Sequence, residues 1–126
     1  MYQLIYLSSA SEQFTQQALD ELLEKAREKN RRLCITGMLV YRDGNFIQVL
    51  EGERDAVEKL YETISRDMRH SNSIVINSGD IAERQFADWA MDFRNAGIHG
   101  KFSDAELKND KTGSLNILND FIKNMR

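Results

Sequence analysis

Gln48 is the residue of this chain that packing alone explains least well. It lies in the run Asn45 to Leu50 (NFIQVL), between Phe46 and Leu50 on one face, where the pattern predicts burial. A primary amide offers a donor at one end and an acceptor at the other. Each polar group left unsatisfied in a core costs roughly 1–3 kcal/mol. Tyr6 is the second such residue. In the run Tyr2 to Leu7 (YQLIYL) it shares a face with Leu4, so two neighbouring strands would let a phenol meet the amide of Gln48. Trp89 and Met91 are the third case. They stand two apart in Asp88 to Phe93 (DWAMDF), and alternate positions of a strand share a face. Taken singly, each fits an ordinary core: a satisfied amide, a tied-down tyrosine, an aromatic packed on a methionine.

Catalytic chemistry has no comparable candidates. His70 and His99 are far apart, and no HxxxH, CxxC or HExxH spacing offers a metal site. Cys34 sits in an apolar run expected to be a strand, where a thiol behaves as a small inert hydrophobe. No P-loop or GxGxxG cradles a phosphate, and the carboxylates fall mostly on helix faces where solvation explains them. The chain is not expected to be an enzyme. Seventeen basic and 20 acidic side chains leave a net charge of −3, which predicts neither direct nucleic-acid binding nor attraction to an anionic membrane. A single cysteine suits a reducing compartment. Met1-Tyr2-Gln3 lacks a positive leader, and no run of about 18 apolar residues could cross a bilayer. The expectation is a cytoplasmic domain of 126 residues with its own core.

The elements that must position these residues follow from periodicity. Tyr2 to Leu7 reads as a strand. Leu19, Leu22, Leu23 and Ala26 recur at helical spacing behind a Thr15 N-cap. Asp20 and Glu21 come early in this helix, and Lys25 to Arg32 crowd its end with cations, matching the helix dipole. Leu33 to Tyr41 and Asn45 to Leu50 read as strands joined through Arg42-Asp43-Gly44, a hairpin signal. Val57, Leu60, Tyr61 and Ile64 form the apolar face of a second helix, expected to end near residues 69–72. Ser73 to Ser78 is the fourth strand and Asp88 to Phe93 the fifth. The order β-α-β-β-α-β plus a fifth strand predicts an α+β, ferredoxin-like sandwich. Its second sheet face needs cover, and a last helix bearing Leu115, Leu118, Phe121, Ile122 and Met125 behind Gly113-Ser114 supplies it. A short helical piece around Ala105 to Lys108 precedes that helix.

Taken together, these pieces resemble the BLUF family of blue-light sensors that use FAD. The resemblance rests on LIYLS around Tyr6, Asn30 ahead of Ile35-Thr36-Gly37, and FIQVLEG around Gln48. DMRH at Asp67 to His70 and WAM at Trp89 to Met91 complete it, so that it runs from Tyr2 to Phe93. It implies FAD held between the two helices, with FMN or riboflavin possible in recombinant preparations. It further implies that Tyr6 is the photoactive electron donor, that Gln48 sits between Tyr6 and the flavin, and that Asn30 holds the polar edge of the ring. Ile64, Asp67, Arg69 and His70 match cofactor-flanking positions, and Trp89 and Met91 match a signal-relay pair. Lys29 stands where the family often has another polar residue, and Ala26 replaces a serine seen in some members.

The resemblance implies residues 1–94 as a flavin-binding photosensory core and residues 95–126 as a C-terminal helical cap or output segment. Output is expected through light-dependent contact with a protein effector or within a homo-oligomer, a dimer being favoured. Two alternatives remain on sequence grounds. One is a flavin-binding or acylphosphatase-like enzyme on the same fold, although Leu7-Ser8-Ser9-Ala10 lacks the arginine such a phosphate loop needs. The other is a degenerate domain that only mediates interactions.

Overall fold

The computed structural model describes residues 1–10, 15–42, 44–66, 70–96 and 100–124, with only the backbone described at residues 10, 70–72 and 124. Strand β1 (Tyr2–Ala10) leads into helix α1 (Gln16–Leu33), then the hairpin β2 (Thr36–Arg42) and β3 (Asn45–Gly52). Helix α2 (Arg54–Ser65), strand β4 (His70–Asp80) and a short β5 (Asp92–Asn95) follow. The chain then forms a four-residue helix α3 (Asp104–Leu107) and helix α4 (Ser114–Asn124).

The five strands form one sheet in the order β4-β1-β3-β2-β5. The first four pair antiparallel as the ferredoxin-like pattern requires, and β5 adds parallel to β2. The register aligns Val75, Tyr6, Gln48, Leu39 and Phe93 in one row across the sheet. Tyr6 and Gln48 are thus direct cross-strand neighbours, because antiparallel pairing sets their side chains on the same face.

Both faces of the sheet are covered, which is why β2 and β3 bury nearly every residue. On one face Leu4, Tyr6, Leu39, Phe46 and Leu50 pack beneath Leu19 and Leu23 of α1 and Val57 and Leu60 of α2. On the other, Ile5, Met38, Val40, Ile47 and Val49 pack against Phe86, Phe102, Leu115, Leu118 and Ile122. The C-terminal helix therefore closes the second face. Phe121 is half-buried beside that core, and Met125 lies outside the described residues.

Local signals explain most helix ends. Thr15 caps α1 by accepting from the Ala18 amide at 3.1 Å. Ser103 and Glu106 form a reciprocal capping box on α3. Asp110 receives the backbone N–H groups of Gly113, Leu115 and Asn116 at the start of α4.

The structure moves several predicted boundaries. Leu33 ends α1, and Cys34 is its left-handed C-cap (φ 54°), exposed to solvent and not in a strand. Helix α2 stops at Ser65 with Arg66 as its cap, short of residues 69–72, and β4 starts at His70, ahead of the predicted Ser73. Trp89 and Met91 precede β5, so the two-residue spacing does not put them on one strand face. Met91 is 1% exposed and Trp89 52%. A run of alternating aromatic and apolar residues imitated a strand, but a segment anchored by its carbonyl groups to side chains of α1 has no need of regular pairing.

Candidate flavin-binding site

A cleft of about 160 Å³ opens between α1 and α2 above the row that contains Tyr6 and Gln48. Tyr6, Gln48 and Leu39 contribute from the sheet; Leu22, Lys25, Ala26, Lys29 and Asn30 from α1; Leu60, Thr63 and Ile64 from α2. Positions 22, 26 and 29–30 recur at helical spacing and so present one face of α1 to the cleft, as 60 and 64 do on α2. The walls are mostly apolar, and the amides of Asn30 and Gln48 add directed polar groups, the usual composition of a small-molecule site.

Tyr6 is fully buried and its hydroxyl donates to Gln48 Oε1. The other end of the same amide, Gln48 Nε2, donates to Met91 Sδ at 3.4 Å. Tyr61 packs its ring 5.0 Å from that of Tyr6. A tyrosine, a glutamine and a methionine from three separate segments therefore form one chain of contacts.

Three consecutive carbonyls hold the Met91 segment in place. Trp89 O accepts from Gly37 N (3.1 Å), Ala90 O from Asn30 Nδ2 (2.7 Å), and Met91 O from Arg27 Nε (2.9 Å). Asn30 thus lines the cleft and also ties residues 89–91 to α1. Trp89 points to solvent and is not part of the Gln48 contact. Asp67 and Arg69 lie outside the described residues, and His70 is described only as the first backbone position of β4.

Sequence reasoning missed Arg27, whose tie to Met91 O leaves no spacing signal, and Glu51. Quoted only as part of the FIQVLEG run and given no role of its own, Glu51 is fully buried. Its Oε1 accepts from Phe86 N (2.9 Å) and Thr36 Oγ1 (3.1 Å), and its Oε2 from Gln85 N (2.7 Å) and Gln3 Nε2 (3.2 Å). Gln3 Nε2 also donates to Thr112 Oγ1, and Gln85 Nε2 to Asn109 O. One carboxylate joins the sheet, the segment ahead of β5 and the approach to α4. The legible signal was its alternation with Ile47 and Val49, which marks it as inward-facing.

Fold and cleft define a ferredoxin-like α+β module with a mostly apolar cleft between its first two helices. Residues 1–92 match the family described as BLUF, sensors of blue light using FAD, and the chain belongs to that family. It is 36% identical over 89 residues to the photoactivated adenylate cyclase subunit beta of Euglena longa, covering 70% of this chain and 10% of that protein. The chain spans about a tenth of the length of the cyclase subunits it matches. The solved structure of BlsA in its photo-activated state is 30% identical with a TM-score of 0.74, covering 99% of this chain and 96% of that one. BlrB, a BLUF protein in its dark state, gives 28% identity and a TM-score of 0.77, covering 94% and 89%. The family's cofactor is FAD, and the cleft suits a flat ring that has one apolar and one hydrogen-bonding side. Among the described residues no helix is long and apolar enough to cross a membrane.

Proposed function

We propose that this chain is a non-enzymatic blue-light photoreceptor in which Tyr6 and Gln48 form the switch and another protein receives the signal. The observation that carries this reading is the Tyr6–Gln48–Met91 chain of contacts on the floor of the cleft. FAD held in this cleft would supply the photochemistry, as a light-excited acceptor for an electron and a proton from the protein. Tyr6 is the donor, being oxidisable, buried and already hydrogen-bonded.

Gln48 converts that transient event into a structural difference. Half a turn of its amide exchanges Oε1 for Nε2. The Tyr6 hydroxyl then faces a donor, and Met91 Sδ loses its N–H partner. Met91 is fixed by its carbonyl to Arg27, so a change at its side chain bears on residues 89–91 and on β5 next to them. Trp89 serves as an outward-facing part of the same relay. A switch of this kind needs a bistable element that the two amide orientations favour differently.

Asn30 and Ile64 would hold the ring, and Lys25 and Lys29 supply cations suited to the phosphates. The family motif supports a cofactor-flanking role for Asp67, Arg69 and His70 as well. Residues 1–94 act as the photosensory core and 95–126 as the output segment, supported by the packing of α4 on the sheet face opposite the cleft. The likeness to cyclase subunits extends over a tenth of their length, so it supports the sensor part and not the cyclase. Cys34, the single cysteine and exposed, supports a cytoplasmic setting.

The test is a pair of substitutions. Tyr6→Phe removes one hydroxyl and should leave FAD bound while abolishing the light-induced red shift of its absorption. Gln48→Leu should abolish the shift as well, because leucine cannot exchange hydrogen bonds. A normal shift in either variant contradicts the role assigned to that residue.

A further inference from the structure

Residues 81–91 join β4 to β5 without helix or strand, so individual contacts, not a ladder, set the path of this stretch. Its last residue, Met91, carries the sulfur that accepts from Gln48 Nε2. Methionine is unbranched and adapts to irregular gaps, so packing alone does not fix where that sulfur lies. The backbone that carries it must be held first.

The three donors that hold it are not equivalent. Gly37 N belongs to β2 and takes the carbonyl of Trp89, two residues short of Met91. Asn30 takes that of Ala90, but it also lines the cleft, so a ligand there competes for the same amide. Arg27 stands three positions before Asn30 and therefore on the same side of α1. It is half-buried and is not among the described residues that line the cleft. Its bond from Nε to Met91 O, at 2.9 Å, is thus independent of what the cleft holds. Being charge-assisted, it is also stronger than a neutral amide–carbonyl bond. The next residue, Asp92, is where β5 begins to pair with Met38 of β2, so Arg27 grips the chain at the junction between the free stretch and the sheet.

We propose that Arg27 is a positioning residue of the Gln48 switch: its hydrogen bond to Met91 O keeps Met91 Sδ within reach of Gln48 Nε2 and so favours the orientation in which Gln48 Oε1 accepts from Tyr6. That Gln48 is a switch rests on the photochemical reading above; the positioning contact does not. When the amide turns, Oε1 faces a thioether that has no proton to donate, and the preference is lost. Arg27 therefore favours the dark arrangement and speeds the return to it.

The test uses the FAD-loaded protein. In the dark, NMR follows solvent exchange of the Gln48 side-chain amide protons. Arg27→Leu keeps an apolar stem on the helix and removes every donor; exchange should accelerate about three- to tenfold, the range for loss of one hydrogen bond. Arg27→Lys should restore the wild-type rate, because one N–H donor suffices at one carbonyl. In a Met91→Leu background, which lacks the sulfur, Arg27→Leu should add nothing. After a blue flash, Arg27→Leu should return to its dark spectrum more slowly than wild type. Wild-type exchange in Arg27→Leu, no rescue by lysine, equal acceleration with and without the Met91 sulfur, or an unchanged or faster dark return would each overturn the proposal. Accelerated exchange in a protein that shows no red shift in any variant would uphold the positioning contact and refute the photochemical reading instead.

Discussion

Replacing Glu51 by alanine should destabilise the domain far more than an ordinary carboxylate deletion. The carboxylate is fully buried and serves two backbone amides, those of Gln85 and Phe86. Thr36 and Gln3 can turn to other partners, since Thr36 Oγ1 already accepts from Arg84 and Gln3 already donates to Thr112. The two backbone groups cannot turn. Leaving a buried donor unsatisfied costs about 1–3 kcal/mol, with Phe86 N near the upper end because it is buried and Gln85 N near the lower because it is partly exposed. The sum is about 2–4 kcal/mol, a large share of the 5–15 kcal/mol that holds a typical domain folded. With unfolding entropy scaling per residue, a chain of 126 residues should lose about 4 °C of melting temperature per kcal/mol, or roughly 8–15 °C.

Glu51→Gln retains one acceptor oxygen and should lose about half as much, roughly 1–2 kcal/mol. Thermal and urea melts followed by circular dichroism read the total, and amide hydrogen exchange locates it. The exchange of Gln85 and Phe86 should accelerate together in Glu51→Ala. A variant that melts within about 1 kcal/mol of wild type, with both amides still protected, would refute the claim that Glu51 anchors the segment ahead of β5.

Two further substitutions probe the frame around the cleft. A Cβ at Gly37 would fall 1.9 Å from the Val49 carbonyl oxygen, so Gly37→Ala must force β2 from β3; a loss above about 3 kcal/mol in a urea melt, beyond ordinary overpacking, is expected. Glu106 faces Arg94 at 2.9 Å. Partial burial pushes its carboxyl pKa up, but the Ser103 backbone and hydroxyl and the Arg94 guanidinium outweigh this and hold it below the ordinary value. A lowered folded-state value gives stability that is full above the unfolded pKa and fades as pH falls through the folded one. Glu106→Gln should therefore cost about 0.5 kcal/mol near neutrality, a figure discounted for solvent screening, and the difference from wild type should vanish in acid melts below the carboxylate range.

Much of the architecture was legible because the signals were local or strictly periodic. Thr15, the helical repeats through Leu19–Ala26 and Val57–Ile64, and the apolar runs around Tyr6 and Gln48 each announced one element. The ferredoxin-like order then placed β1 beside β3, and Tyr6 against Gln48 followed from that pairing. What stayed hidden depends on tertiary partners. Cys34 ends a helix because the chain must reverse into β2 there, although its neighbours Leu33 and Ile35 are apolar enough for a strand. Met91 and Trp89 diverge because carbonyl ties to Gly37, Asn30 and Arg27 set the path of that segment. Glu51 is buried because backbone amides 34 and 35 residues away return to meet it, and no local pattern encodes such a return.

The central claim is that Tyr6 and Gln48 form a light-driven switch at a bound flavin. The most direct measurement is the absorption spectrum of the purified, FAD-loaded protein before and after a brief blue flash, followed during return to darkness. A small red shift of the flavin bands that reverses fully in the dark is the predicted result. A flavin spectrum that bleaches, or one that light leaves unchanged, would contradict the account.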